Sequence, residues 1–105
     1  MADVKVSVTF RHTEPSEALR RYAEDKLRKL GKYFYRPLEA HVVLAVDSRE
    51  RQLAEVSLQA RQLTLHSREE TNDLYAAIDG VMDKVEQQIR KYKEKTRLRR
   101  RGEKG

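Results

Sequence analysis

The 105-residue sequence has no cysteine, only four glycines, none of them clustered, and no apolar run near the roughly 20 residues that span a bilayer. The missing cysteines exclude a disulfide scaffold, an iron–sulfur site, a zinc finger and a cysteine nucleophile, and they favour a reducing compartment. The scattered glycines leave no glycine-rich loop for nucleotide phosphates. Because the first residues also lack the basic and apolar regions of a secretory signal, we expect a soluble, cytoplasmic protein.

Residue types that support catalysis or metal binding are sparse. Three histidines fall in three different predicted elements, without the His-x-x-His or His-Glu-x-x-His spacing of metal sites: His12, His41 and His66. Asp73, Asp79 and Asp83 flank an apolar helical stripe, where solvated acids or partners for Lys and Arg are a simpler interpretation than a carboxylate pair for hydrolysis. The sequence therefore predicts no enzyme, no metal, no cofactor and no small-molecule substrate.

Positive charge is in excess and is unevenly placed. The chain has 23 Lys and Arg against 17 Asp and Glu, a net charge of +6. Residues 90–105 alone hold nine basic and two acidic side chains, and residues 16–36 hold seven basic and three acidic ones. Two basic segments on a near-neutral body attract polyanions, nucleic acid first and anionic membranes second. The alternative interpretation is a charged surface that is merely solvated and binds nothing. This alternative has more weight for residues 16–36 than for residues 90–105.

Alternating apolar and polar residues predict four strands. The first covers residues 4–10, and the second and third cover 40–46 and 54–60. The polar residues 47–51 between these two are short enough for a hairpin loop. After a tight connection, residues 63–66 form a short fourth strand.

Helical spacing predicts a first helix between the first two strands. Residues 13–17 offer a threonine that can cap a helix, a proline suited to a first turn, and two acids. Apolar residues then recur every three or four positions from Leu19 to Leu30, and Gly31 is a plausible stop.

A second, long helix is predicted from about Arg68 to Lys95. Residues 67–70 have the Ser-x-x-Glu spacing of a capping box, and an apolar stripe runs from Leu74 to Tyr92. The C-terminal, basic turns of this helix must extend past the sheet. Residues 96–105 have one apolar side chain and are predicted to be a basic, disordered arm.

The predicted order is β-α-β-β-β-α in one domain, residues 1–95, followed by the arm. Each strand has one apolar side, so both helices are expected on a single face of a four-stranded sheet. The predicted fold class is α+β.

The aromatic residues indicate how nucleic acid would be bound. A sheet that stacks RNA bases carries aromatic residues on its strands, and Phe10 is the only strand aromatic here. Tyr33, Tyr35 and Tyr92 lie instead near the basic helix ends, although core packing explains Tyr92 and Tyr22 equally well. The remaining mode is recognition of phosphates by Lys and Arg of the helices, which suits structured RNA and gives salt-sensitive affinity.

Three segments carry a family resemblance. Residues 73–79 read DLYAAID, residues 91–93 read KYK, and residues 26–30 read KLRKL. Found together, in the order in which they follow one another along the chain, these segments resemble those of the ribosome hibernation promoting factors and ribosome-associated inhibitors. The resemblance covers about residues 4–95. Leu74, where the family often has methionine, is a volume-conserving difference.

The resemblance implies a fold similar to double-stranded-RNA-binding domains and binding to the small ribosomal subunit, and to whole ribosomes, in the channel for messenger and A- and P-site transfer RNA. It implies that the protein blocks translation and preserves idle ribosomes during stress or stationary phase, acting as a monomer when free. Long family members add a dimerising domain, and the other short subtype has a more acidic tail. The short basic tail fits a short hibernation promoting factor or an N-terminal piece of a long one, and both stay open.

By position, the expected ribosomal RNA contacts are basic residues of the two helices: Arg20, Lys26, Arg28, Lys29, Lys32, Lys84, Arg90, Lys91, Lys93, Lys95 and Arg97. For Lys26 and Lys84, an intramolecular pair with an acid such as Asp79 or Asp83 is an equally good interpretation. Two other functions use the same charges. One is a general structured-RNA binder, and the other is a protein adaptor or membrane-surface protein that uses residues 90–101, although the apolar stripe of the second helix is needed for the core.

Overall fold

The computed structural model describes residues 3–61 and 63–104, with side chains as far as Lys95. The elements are β1 (Val4–Arg11), α1 (Glu17–Arg28), a 3₁₀ segment (Lys29–Tyr33), β2 (Leu38–Ser48), β3 (Arg51–Ala60), β4 (Leu63–Thr71) and α2 (Leu74–Lys104). The predicted β-α-β-β-β-α order and the α+β class are confirmed. No helix in these ranges is long and apolar enough to cross a membrane.

The sheet is mixed and follows the chain order, β1-β2-β3-β4. β1 pairs with β2 in parallel, whereas β2–β3 and β3–β4 are antiparallel. The register places Val8, Val42 and Val56 side by side across three strands. A parallel pair needs a crossover connection, which α1 supplies, while hairpins suffice for the other two.

Both helices cover the same face of this sheet, as predicted. Alternate strand side chains point to that face and form one core with the apolar stripes of α1 and α2. Its fully buried members include Leu27, Leu44, Val56, Val81 and Ile89. Each such side chain contributes about 1.5–3 kcal/mol when it is removed from water, so the stripes fix how both helices lie.

The first helix begins later than the predicted cap. Ser16, not Thr13, is the N-cap, and its Oγ accepts a hydrogen bond of 3.3 Å from the Leu19 amide. Pro15 therefore precedes the helix. The α-helix ends at Arg28 and tightens into the 3₁₀ segment, which carries the chain through Gly31 toward β2.

The predicted start of the second helix is wrong. Residues 67–70 belong to β4, which pairs with β3 over its whole length from Leu63 to Thr71. The ladder hydrogen bonds offered by a ten-residue β3 outweigh a local capping box. Asp73 caps α2 instead, since its Oδ2 accepts a hydrogen bond of 3.0 Å from the Ala76 amide.

The helix also continues beyond its predicted end. α2 runs to Lys104, where the sequence pattern predicts disorder from residue 96 onward. Lys and Arg are good helix formers, and no proline or glycine interrupts the segment before Gly102, so an established helix propagates. At 31 residues α2 is about 46 Å long and outreaches the sheet. The division into a domain of residues 1–95 and an arm stays a prediction.

Candidate nucleic-acid interface

Lys26 takes part in a small polar cluster between the two helices. Its Nζ lies 3.3 Å from Oδ1 of Asp79, and the same oxygen accepts a hydrogen bond of 2.5 Å from the Tyr22 hydroxyl. Lys26 also lies 5.1 Å from the centroid of the Tyr22 ring. Tyr75 meets that ring edge-on, with centroids 5.0 Å apart. Of the two interpretations of Lys26, the structure shows the intramolecular pair.

The cluster fixes the charge of its members. The hydrogen bond from Tyr22, followed by the interactions with Lys26, lowers the pKa of Asp79 below its usual value. Asp79 in turn raises the pKa of Tyr22 and of Lys26, in each case mainly through the hydrogen bond. A lysine and a carboxylate that stay charged together attract a distant phosphate less than a lysine alone does.

Lys84 is likewise engaged within the chain. Its Nζ donates to the carbonyl oxygen of Arg68 at 2.9 Å and lies 3.3 Å from Oε1 of Glu69. Neither predicted acid is its partner, because β4 extends far enough to place Glu69 beside α2. Gly80 makes this close approach possible, since a Cβ there would lie 2.6 Å from Oε2 of Glu69.

Three arginines of the predicted site form exposed ion pairs within a helix. The pairs, at 3.7–3.9 Å, are Arg20–Glu17, Arg28–Glu24 and Arg90–Glu86. Exposed pairs of this spacing are weak, because water screens both charges and two long side chains must be ordered to form them. A phosphate can therefore replace the carboxylate at little cost, and these arginines stay available to an anion.

Five lysines of the predicted site are exposed and have no carboxylate within 4 Å among the described side chains: Lys29, Lys32, Lys91, Lys93 and Lys95. They lie on the 3₁₀ segment and on the last turns of α2 whose side chains are described. These two stretches approach one another, because both Lys32 and Lys93 line one hollow with Tyr33, Phe34 and Tyr35. We call this part of the molecule the basic end. The side chain of Arg97 lies outside the described residues.

Aromatic rings hold the basic end together. The Lys93 ammonium lies 5.1 Å from the centroid of Phe34, and the Lys32 ammonium lies 5.2 Å from that of Tyr33. Nη2 of Arg90 donates to the Tyr33 hydroxyl at 3.5 Å, an interaction that raises the pKa of the arginine. Ring faces attract cations without neutralising them, so the lysines keep their full charge for a ligand.

Two arginines outside the predicted site join the basic end. Arg36 and Arg61 line a second hollow, of about 360 Å³, together with Tyr35 and Lys93. Arg61 lies in the β3–β4 turn, which reaches α2 near Tyr92 and Lys93 only because of the sheet pairing. A basic residue in a turn is not by itself a signal for a site. Arg36, in contrast, belongs to the basic segment of residues 16–36 that the sequence shows.

The sheet face that the helices leave open carries serine and histidine side chains in place of a cluster of cations. Ser7, His41, Ser57 and His66 form one row across the four strands. Ser7 Oγ lies 2.5 Å from Nδ1 of His41, and Ser57 Oγ lies 3.1 Å from Nδ1 of His66. Phe10 lies on the opposite, helix-covered face, where it packs against the core. The described strands thus place no tyrosine, tryptophan or phenylalanine on the open face for base stacking.

Comparison with known proteins identifies the family. The sequence profile described as Sigma 54 modulation protein / S30EA ribosomal protein matches residues 6–97, most of the chain. The chain belongs to this family. It is 35% identical over 92 residues to the ribosome hibernation promoting factor of Escherichia coli K12, covering 88% of this chain and 96% of that protein. No catalytic family is indicated.

A longer relative and one solved structure agree with this assignment, and a second solved structure has the same fold. The ribosome hibernation promotion factor of Lactococcus lactis is 40% identical over 99 residues, which cover 92% of this chain but only 52% of that protein. The chain thus spans about half the length of this relative. The N-terminal domain of Thermus thermophilus Protein Y has a TM-score of 0.76 and 32% identity, covering 86% of this chain and 98% of that one. A ribosomal subunit interface protein from Coxiella burnetii shares the fold, with a TM-score of 0.73, 23% identity and coverage of 90% and 99%.

Proposed function

We propose that this protein is a cytoplasmic ribosome hibernation factor that binds the small ribosomal subunit in the channel for messenger and A- and P-site transfer RNA. By occupying that channel it stops translation and preserves idle ribosomes under stress or in stationary phase. Relatives named ribosome hibernation promoting factor, at 34–35% identity and 96% of their own length, support the hibernation role. The observation that carries the proposal for this chain is the basic end, with its five exposed lysines.

Phosphate recognition follows from the arrangement of these charges. Lys32 and Lys93 come from different elements and line one hollow, so a folded RNA can be contacted from two directions at once. Lysine and arginine contacts to phosphates position a protein on RNA without reading its sequence. Ribosomal RNA has a fixed tertiary structure, so phosphates at matching positions provide specificity for the small subunit.

The eleven predicted contacts are proposed to contribute unequally. The five lysines of the basic end are expected to contribute most, and Arg20, Arg28 and Arg90 follow because their exposed pairs are weak. Lys26 and Lys84 contribute least, because their carboxylates lie closer, at 3.3 Å, and each ammonium has a second partner in the chain, the Tyr22 ring for Lys26 and the Arg68 carbonyl oxygen for Lys84. Residues 1–95 form the binding domain in this proposal, Arg97 and the basic arm add to the affinity, and the free protein is a monomer.

Gradient sedimentation with purified small subunits, large subunits and whole ribosomes tests the proposal, with translation measured on the same mixtures. The protein is expected to sediment with small subunits and whole ribosomes and to inhibit translation. A Lys29→Glu, Lys91→Glu double variant is expected to lose both effects. The matched control is Arg49→Glu, Arg51→Glu, which makes the same charge change in the β2–β3 turn and at the first residue of β3, the opposite end of the sheet.

Two results contradict the proposal. One is unchanged ribosome binding by the lysine variant. The other is equal binding to every RNA offered, including naked duplex, with translation unaffected, which identifies a general structured-RNA binder. Liposomes with and without anionic lipid test the membrane-surface alternative, and flotation with anionic liposomes alone would favour it.

A further inference from the structure

Tyr35 stands out among the aromatic residues of the basic end because its side chain is 97% exposed. In the part of the chain that the structure describes, it makes no hydrogen bond, ion pair or ring contact. Its neighbours Tyr33 and Phe34 are half-buried, and each has a lysine over its ring. The contacts that hold the basic end together therefore do not explain Tyr35, since a ring in water contributes no packing.

The surroundings of Tyr35 indicate the charge of its ligand. Tyr35 lines two hollows, of about 360 and 230 Å³. Arg36, Arg61 and Lys93 line the first, and Lys32 and Lys93 line the second, whereas neither hollow is lined by an acidic residue. A ring beside two hollows that are lined by four cations and by no carboxylate suits a ligand that is planar and anionic.

An unpaired nucleotide has both properties. Its base offers a flat face that stacks on any aromatic ring, and its phosphates suit the cations beside the ring. A single exposed ring is too small an apolar patch to hold a protein partner. We propose that Tyr35 stacks on an unpaired base of the bound RNA, while Arg36, Arg61, Lys32 and Lys93 bind the phosphates that flank it. The inference rests on the proposed RNA-binding function and adds a subsite for a single-stranded nucleotide.

Substitution of Tyr35 tests the subsite on small ribosomal subunits. Tyr35→Ala is expected to lower the affinity about tenfold, the usual loss when one stacked base loses its ring. Tyr35→Phe is expected to retain the wild-type affinity, because a phenyl ring stacks equally well. The dependence of affinity on salt is expected to be unchanged in both, since no charge is removed. Equal affinity of Tyr35→Ala and wild type, or an equal loss in Tyr35→Phe, would overturn the inference.

A fluorescent probe distinguishes this inference from the proposed function. The chain has no tryptophan, so Tyr35→Trp introduces a single one at the subsite. A short oligoadenylate is expected to quench its fluorescence, while a blunt RNA duplex of equal charge quenches it far less. Quenching equal for both RNAs, or by neither, contradicts stacking. If wild-type protein fails to bind small subunits while oligoadenylate still quenches the introduced tryptophan, the ribosomal function fails and the subsite stands.

The tryptophan and alanine variants also test two other ligands for the Tyr35 position. A blue shift of the tryptophan emission with anionic vesicles, together with no response to oligoadenylate, indicates a lipid surface and overturns the inference. Self-association of the protein that is lost in Tyr35→Ala, again without a response to RNA, indicates a second copy of the chain at this position and overturns it as well.

Discussion

The Tyr22 hydroxyl donates a hydrogen bond of 2.5 Å to Oδ1 of Asp79, and this bond joins the exposed side of α1 to α2. The ammonium of Lys26 lies 3.3 Å from the same Asp79 oxygen. The basic end depends on how the 3₁₀ segment that continues α1 lies against α2, because its lysines come from that segment and from α2. A polar contact between two side chains 57 positions apart in the sequence thus supports the geometry of the site.

Removal of the Asp79 charge should destabilise the fold modestly. Asp79→Asn keeps the shape but weakens the hydrogen bond from Tyr22 and the pair with Lys26, so we expect a loss of about 1 kcal/mol in the free energy of unfolding. Urea denaturation measures this loss. Asp83→Asn, on the same helix, is the control and should stay within about 0.5 kcal/mol of wild type. Equal stability of both variants would contradict the role given to Asp79.

The difference between wild type and Asp79→Asn should depend on pH in a defined way. The pKa of Asp79 is lowered in the fold, so its contribution is present above the unfolded value of about 3.9 and is lost as pH falls through the folded pKa. The pKa of Tyr22 is raised, so its contribution is present below about 10 and is lost as pH rises through the folded pKa. We expect a plateau between these limits. A difference that grows in acid would contradict this assignment.

Gly80 should respond to substitution in a way that depends on Glu69. Alanine favours the helix by about 1 kcal/mol, but its Cβ would displace Glu69 and break the pair with Lys84. Gly80→Ala alone is therefore expected to change the stability little, whereas the same change in a Glu69→Ala background should stabilise by about 1 kcal/mol. Thermal unfolding of the four proteins gives the comparison. A full gain in the wild-type background would show that Glu69 does not oppose the alanine.

Salt dependence should separate the paired from the unpaired lysines. The affinity for small subunits is expected to fall steeply with salt, by about 10³- to 10⁵-fold between about 50 and 200 mM for about six to ten phosphate contacts. Lys93→Gln should reduce the slope of log affinity against log salt by about one. Lys26→Gln should change it far less, because Asp79 already neutralises Lys26. Equal slopes in the two variants would contradict the ranking.

The fold was predictable because the buried residues of the core recur at the two-residue spacing of a strand or the three- to four-residue spacing of a helix. Val56 and Leu58 alternate with polar residues, and Val81 and Ile89 recur at helical spacing, so the pattern predicts that each of these side chains is buried. The boundary between β4 and α2 was not predictable in this way. Residues 67–70 satisfy a local capping rule, but their structure is decided by pairing with β3, which no local pattern reports.

The same reason limits what the sequence shows of the site. Lys29, Lys32, Lys91 and Lys93 could be selected from charge and position alone. The pair between Lys84 and Glu69 could not, because it requires the longer β4. The position of Arg61 in the same hollow as Tyr35 could not be predicted either, because it depends on where the β3–β4 turn lies against α2.

Occupation of the messenger and transfer RNA channel is the central claim, and competition on the small subunit tests it most directly. Labelled protein is titrated with empty small subunits and with small subunits that already carry messenger and a P-site transfer RNA, at one salt concentration. We predict tight binding to the empty subunits and strongly reduced binding to the occupied ones. Equal affinity for both would contradict the claim and place the binding site elsewhere on the subunit.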